Sequence, residues 1–406
     1  MIAATASPGA WERYRHALAG VPLPAALVDL DAFEANAAQL LGVARAGGKV
    51  LRLATKSVRV PELVRRFRDL GGATARGLMV YAAAEAAFLA EQGFDDLLLA
   101  YPTAQPSDAE LLAALAKAGK TVSAAVDGPE QLDALAAAAG RAGVRARVTI
   151  DMDVAYRAAG LTLGVRRSPL RSVEDVLAIA ERIASEPRLL LDGLLTYEAQ
   201  IAGVPDAGPF SPWLNPAKRA MKLASAPQVS RLRKEALDAL RGRGVSLRLV
   251  NGGGTGDLDL AARDPSLTEV TAGSGLRDSR LFDWFHGLSL SPAAYFALQV
   301  TRRPRPDTVV CHGGGWVASG EAGPDRLPFP ALPEGCELLP LEGAGEVQTP
   351  VVLPAGVRVE LGEPIFFRHA KAGELAEHVA EYVLVRGDTV VGRAPTYRGL
   401  GRCFLG

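Results

Sequence analysis

The chain has 406 residues, 49% hydrophobic and 22% charged, which suits a soluble globular enzyme with one large domain and a smaller one. Lysine plus arginine equals aspartate plus glutamate, 45 each, and no basic patch is interleaved with aromatics, so the composition argues against nucleic-acid and membrane partners. Three scattered cysteines, Cys311, Cys336 and Cys403, fit neither a disulfide framework nor a zinc-type pair.

These cysteines suit a reducing cytoplasm, with Cys311 and Cys403 read as buried core thiols. No apolar run reaches membrane-spanning length, and residues 1–20 lack the apolar core of a signal peptide. Trp11 to His16 predicts an amphipathic helix. Pro22 and Pro24 then precede a short strand, Ala25 to Leu30, and Asp31 is placed to cap a helix over Ala32 to Arg45.

Short apolar runs then alternate with Ala- and Leu-rich helical stretches. The runs lie near 50–55, 77–80, 97–100, 121–126, 147–152, 190–196, 246–250 and 268–271. Pro61 and Pro129 each sit where a first helical turn begins. Eight strands alternating with helices predict a (β/α)8 TIM barrel, assigned to residues 26–285; an open doubly wound sheet is the alternative. The strand at Ala25 exceeds the eight and is free to pair elsewhere. From about 290 onward, proline and glycine replace helical runs. Strand-like runs follow at Thr308 to Cys311, Val357 to Leu361, Ile365 to Phe367, Tyr382 to Val385 and Thr389 to Val391. Residues 286–406, with roughly 1–25, therefore read as a mostly β domain.

Chemistry in such a barrel sits at the carboxyl ends of the strands. Lys56 follows the run Val50 to Thr55. A desolvated lysine there attacks a carbonyl to form a Schiff base; an ordinary surface lysine is the other reading. Asp153 and Arg157 follow the run near 147–152, and Tyr197, Glu198 and Gln200 follow that near 190–196. After the last two runs come Gly252, Gly253, Gly254 and Thr255, then Gly273 and Ser274. Exposed backbone at two such loops, with Thr255 and Ser274 adding hydroxyls, suits a phosphate; flexible turns are the alternative. A lysine facing a phosphate cradle in a barrel points to pyridoxal phosphate. Arg157 and Tyr197 are either contacts to its ring or, respectively, a surface salt bridge and a core aromatic. His312 is either a turn histidine or a substrate contact.

These residues resemble the D-threonine aldolase and D-serine dehydratase family, within the alanine-racemase-like class of pyridoxal enzymes. The likeness is carried by Pro24 to Asp31 with Asn36, Arg52 to Ser57, Asp151 to Gly160, Gly193 to Glu198, Gly252 to Gly256 and Glu269 to Ser274. It implies that Lys56 carries the cofactor, that Arg157 lies near it, and that Gly253, Gly254, Thr255, Gly273 and Ser274 hold phosphate. It also implies a homodimer with active sites near the subunit boundary. Members of that family hold a divalent metal on a glutamate-histidine pair followed by His-x-Cys or His-x-Asp. Here the segments read Gly345 to Thr349 and Phe367 to Lys371, so His369 stands two residues before a lysine. A protonated ammonium cannot ligate a cation and repels one, which puts the metal in doubt. Glu374 and His378 lie four apart, either a substitute ligand pair or a solvated helix face.

The expected activity is retro-aldol cleavage of the Cα–Cβ bond of a β-hydroxy D-amino acid. In that expectation Lys371 supplies the positive charge at the β-oxygen and His369 acts as acid or base. Dehydration with deamination, racemisation and binding of pyridoxal phosphate without turnover are the alternatives.

Overall fold

The computed structural model describes residues 9–158 and 160–405. The chain opens with α1 (Ala10–Ala17), β1 (Ala25–Asp29) and α2 (Leu30–Ala46). Then come β2 (Val50–Ala54), α3 (Pro61–Gly71), β3 (Ala75–Val80), α4 (Ala83–Glu91), β4 (Leu97–Leu99), α5 (Pro106–Lys117), β5 (Val122–Val126), α6 (Pro129–Ala142) and β6 (Ala146–Asp151). A small hairpin of β7 (Tyr156–Ala158) and β8 (Leu161–Leu163) precedes α7 (Val173–Ser185), β9 (Leu189–Leu195) and the short α8 (Ala199–Ala202). The half closes with α9 (Asn215–Gly242), β10 (Leu249–Gly252), α10 (Leu258–Arg263) and β11 (Glu269–Ala272).

Strands β2, β3, β4, β5, β6, β9, β10 and β11 form a closed parallel barrel. All eight apolar runs read from the sequence are its strands. The reason is that parallel strands under a ring of helices are buried on both faces and so carry continuous apolar side chains. The interior also holds a polar layer. Arg52 on β2 is fully buried and donates to both oxygens of Glu269 (2.6 and 2.9 Å) and to Asp96 (3.1 Å). Asn251 in turn donates to Glu269 and Thr271. A buried charge is tolerated only when paired in this way.

The β domain comprises β12 (Ala294–Arg305), β13 (Thr308–His312), β14 (Phe329–Leu332), β15 (Glu337–Leu338), β16 (Gln348–Val352), β17 (Pro364–Arg368), β18 (Glu381–Arg386) and β19 (Thr389–Pro395). Strand β1 belongs to this sheet, antiparallel to β12 and parallel to β18. From β1 in the β domain the chain thus crosses through α2 into the barrel and later returns.

Three local expectations are corrected. The cap of α2 is Asp29, whose carboxylate accepts the N–H groups of Asp31 and Ala32, while Asp31 pairs with Arg386. Val357 to Leu361 forms no ladder; it lies between a turn and Gly362, where φ is +92°. Cys403 is exposed, whereas Cys311 and Cys336 are buried and burial pushes both thiols up to about 12.

Two buried ties lock the β domain onto the barrel next to Lys56. Arg277 donates to the Tyr382 hydroxyl (2.7 Å) and to the Ser57 carbonyl (2.6 Å). Glu85 accepts the Tyr81 N–H (2.8 Å) and the Tyr397 hydroxyl (2.9 Å).

Candidate active site

Lys56 stands in a short 3-10 turn (Thr55–Ser57) directly after β2. It lines a cavity of about 500 Å3 at the carboxyl end of the barrel, together with Tyr101, Asp151, Tyr197, Gly254 and Ser274. Its Nζ donates to the Tyr101 hydroxyl and lies 5.3 Å from that ring's centroid. The turn itself is pinned, because Arg59 Nε donates to the Lys56 carbonyl at 2.9 Å.

Both glycine loops reach the same cavity, with Gly253, Gly254, Thr255, Gly273 and Ser274 in its wall. Gly253 has φ of +80°, a left-handed conformation that suits glycine. A Cβ on Gly273 would meet the Ala54 carbonyl at 2.6 Å, and one on Gly254 would meet the Ala202 Cβ at 2.9 Å. The N–H groups of Gly253 and Gly254, however, are spent inward. Gly253 donates to Glu198 (2.9 Å) and Gly254 to Asp257 (2.7 Å). Glu198 is held by the buried Arg233 of α9, which also binds Thr196 and Asp264. These two glycines shape the loop, while the hydroxyls of Thr255 and Ser274 stand beside it. Thr255 Oγ1 accepts the Gly275 N–H, and Ser274 Oγ lies 3.0 Å from Ser57 Oγ.

A wider outer chamber opens from this cavity and shares Lys56, Arg167, Tyr197 and Phe282 with it. Its far wall comes from the β domain and includes Ser319, Arg326, Lys371 and Glu374. The segment carrying Lys371 rests on the barrel lysine: a Cβ on Gly373 would fall 1.7 Å from the Lys56 carbonyl oxygen. Lys371 Nζ donates to Ser319 Oγ (2.8 Å) and lies 3.7 Å from Glu374. Burial lowers the Lys371 proton affinity, and the charges of Arg326 and Lys56 lower it further, against the opposing pull of Glu374.

Residues 28–277 match the family profile described as alanine racemase, N-terminal domain. The chain belongs to that family. A D-threonine aldolase of Arthrobacter sp is 26% identical over 313 residues, 76% of either chain. A 3-hydroxy-D-aspartate aldolase of Paracoccus denitrificans (strain Pd 1222) is 28% identical over 255 residues, 63% of this chain and 60% of that protein. Among solved structures, D-threonine aldolase from Filomicrobium marinum superposes with a TM-score of 0.80 at 23% identity, covering 94% of this chain and 96% of that one. D-threo-3-hydroxyaspartate dehydratase from Delftia sp. HT23 gives a TM-score of 0.72 at 20% identity, covering 94% and 98%. These two likenesses establish the barrel-plus-β-domain fold.

Membership of the alanine racemase family implies pyridoxal phosphate, and the residues fit it. A lysine and two glycine-backed loops converge on one cavity, with Tyr197 in its wall. Lys56 would hold the aldehyde carbon, and Thr255 and Ser274 with the loop at Gly253, Gly254 and Gly273 would hold the phosphate.

A divalent metal at His369 does not fit. Both ring nitrogens of the buried His369 face backbone carbonyls, Nδ1 that of Lys371 (2.8 Å) and Nε2 that of Trp316 (3.0 Å). Burial lowers its proton affinity. Glu374 is bound through both oxygens to Ser319, and the His378 ring stacks on Trp316 at 5.0 Å. Glu374 lies half-buried on a short 3-10 turn and His378 is exposed at its end, so the pair forms no regular helix face, although His378 keeps the solvent exposure expected of it. Among the described residues no cluster of three or more His, Cys, Asp or Glu side chains is arranged to hold a metal ion.

Arg157 does not line the cavity. It sits on the β7–β8 hairpin, paired with Asp153 at 3.0 Å. Arg167 lines both chambers in its place. His312, at the end of β13, is exposed and lines neither chamber. The sequence reading missed Tyr101, Arg167 and Arg326, which lie on loops where no periodicity marks them. It also passed over Asp151, named there only as a segment end. Burial and neighbouring Asp127 push its carboxyl up to about 7. Its place at the carboxyl end of β6 was the available signal.

Proposed function

We propose that the protein is a pyridoxal-phosphate-dependent lyase that cleaves the Cα–Cβ bond of a β-hydroxy D-amino acid. The observation that carries the reading is the packing of Gly373 on the Lys56 carbonyl, which sets a second lysine, Lys371, in the chamber above the first. Relatives named as aldolases of β-hydroxy D-amino acids support it.

Bound pyridoxal phosphate supplies an aldehyde for Lys56 and a ring that takes up the electron pair left on Cα. The chain's own residues do the rest. Retro-aldol cleavage builds negative charge on the β-oxygen as its proton passes to water in the open outer chamber, and the Lys371 ammonium stabilises that charge. Ser319 and Glu374 fix the position of Nζ. His369 acts on this step through Lys371: its contact with the Lys371 backbone holds the segment in place. Tyr101 orients the Lys56 amine, and Tyr197 walls the cavity.

Exposed Trp213 (73%) and Leu223 (77%), with Phe210 in the wall of the outer chamber, support a homodimer that covers this side. The buried thiols of Cys311 and Cys336 support a reducing, cytoplasmic setting. No helix among the described residues is long and apolar enough to cross a membrane.

The test is an absorbance spectrum of the purified protein and of Lys56→Ala, followed by product analysis with β-hydroxy D-amino acids. A cofactor band lost in the variant, with glycine and an aldehyde as products, is the expected result. A keto acid with ammonia would replace cleavage by dehydration, and an inverted amino acid would replace it by racemisation. No band in the wild type would overturn the assignment.

A further inference from the structure

The outer chamber is strongly cationic in a chain of zero net charge. Seven lysines and arginines line it against three aspartates and glutamates. Two of these cations are committed to anionic or hydroxyl partners. Arg59 pairs with Glu377 at 2.5 Å and Lys371 is held by Ser319 and Glu374. Arg326 is different. Its side chain is only 21% exposed, and among the described residues its Nε and Nη1 are buried without a hydrogen-bond acceptor. Asp325 approaches Nη1 at 3.1 Å but is not aligned to accept from it. Buried guanidinium N–H groups are rarely left unused, because their desolvation is then uncompensated.

The loop is shaped around this side chain. The Ala318 N–H donates to the Arg326 carbonyl and the Arg326 N–H to that of Gly323, both at 2.9 Å. Gly320, with φ of +115°, leaves room where a Cβ would come within 3.2 Å of Arg326 Nε. The two hydrogen bonds fix the Arg326 backbone, and the planar fork of its guanidinium matches a carboxylate.

Which carboxylate follows from position. A substrate whose amino group replaced that of Lys56 on the cofactor's aldehyde carbon would keep its α-carboxylate beside the inner cavity. Arg326 lines only the outer chamber, on the same wall as Lys371. A group that reaches it must extend past the β-carbon. We infer that Arg326 is the receptor for a carboxylate on the substrate side chain, so that the enzyme selects acidic β-hydroxy D-amino acids over neutral ones. The inference rests on the lyase reading above for the orientation of the substrate.

Calorimetric titration of the holoenzyme with D-aspartate and with D-alanine tests it without turnover, since neither carries a β-hydroxyl. D-aspartate is expected to bind at least about 10-fold more tightly, in line with a charge-assisted hydrogen bond. Arg326→Gln should erase that preference and Arg326→Lys should restore part of it, with melting temperatures unchanged. In kinetics, Arg326→Gln should raise KM for 3-hydroxy-D-aspartate about 10- to 100-fold and leave that for D-threonine within about twofold. Equal weakening of both ligands would assign Arg326 to the α-carboxylate and overturn the inference; an undiminished preference would overturn it as well. An Arg326-dependent preference for D-aspartate without cleavage of either substrate would sustain this inference and sink the lyase reading. Cleavage without such a preference would do the reverse.

Discussion

Lys56 Nζ donates a hydrogen bond to the Tyr101 hydroxyl, which joins the ends of β2 and β4 across the mouth of the barrel. The backbone of the same turn is gripped by Arg59 at the Lys56 carbonyl and by Arg277 at the Ser57 carbonyl. The amine is thus oriented from the barrel, while the peptide beneath it is held by residues that also touch the β domain.

Tyr101→Phe removes the acceptor and leaves the ring. Loss of one charge-assisted hydrogen bond is worth about 1.5 kcal/mol, so kcat/KM should fall roughly 10-fold. The melting temperature should not move. Steady-state rates at saturating cofactor, beside a thermal melt, check this; an unchanged rate would remove Tyr101 from the site.

Gly373→Ala forces a methyl into the Lys56 carbonyl, and backbone cannot yield as a flexible side chain can. Overpacking of this kind costs about 1–3 kcal/mol, and here it also displaces Lys371. Stability and kcat should drop together. Gly42→Ala is the contrast. Gly42 lies within α2 with nothing within 4 Å of the new methyl, so the change should stabilise by about 0.5–1 kcal/mol and leave kcat alone. Denaturant unfolding of both variants measures the difference.

Glu85 gives a pH dependence of defined sign. Burial pushes its carboxyl up to about 7 from the ordinary 4.5. Between those values the native state holds a proton that the unfolded chain has released. Its stabilising share is therefore complete below about 4.5, declines as pH rises to about 7, and is gone above. Glu85→Gln, which keeps a polar partner for Tyr397, should be more stable than wild type at pH 8 by roughly 2–3 kcal/mol and no more stable at pH 4. Asp151 and Asp278, also pushed up to about 7, add slopes of the same sign. The readout is thus the difference between variant and wild-type unfolding curves across pH; a constant difference would refute the account.

The donor set near His369 predicts the response to chelation. With Lys371 carrying the positive charge, prolonged EDTA treatment should leave kcat unchanged, whereas Lys371→Met should lower it about 100-fold, the scale of losing one preorganised electrostatic contact. Metal analysis of the purified enzyme accompanies the assay. A stoichiometric metal whose removal abolishes turnover would reject this role for Lys371.

Much of the barrel was readable because burial on both faces writes itself into local composition. Runs such as those near 50–55, 77–80 and 97–100 are apolar for that reason, and Lys56 stands out by ending one. Arg52 sits inside such a run and gave no sign of its role, since its partners Glu269 and Asp96 are distant in sequence. Gly253 and Gly254 were legible as a loop for close approach. That their N–H groups turn to Glu198 and Asp257 was not, because nothing local shows where a donor points.

The amino-acid order by itself determined the alternation of strand and helix, the place of Lys56 at a strand end, the two glycine loops and the lysine at 371. Each depends on short-range periodicity or on a residue type. Only the tertiary structure decided that β1 pairs with β12 and β18, that Arg167 and not Arg157 faces the cavity, that His369 turns both nitrogens to backbone, and that Gly373 seats Lys371 above Lys56. Those outcomes are set by closure of the barrel and docking of a second sheet on its rim. The pairings of β1 and the seat of Gly373 on Lys56 join residues hundreds of positions apart, and no local pattern encodes that separation.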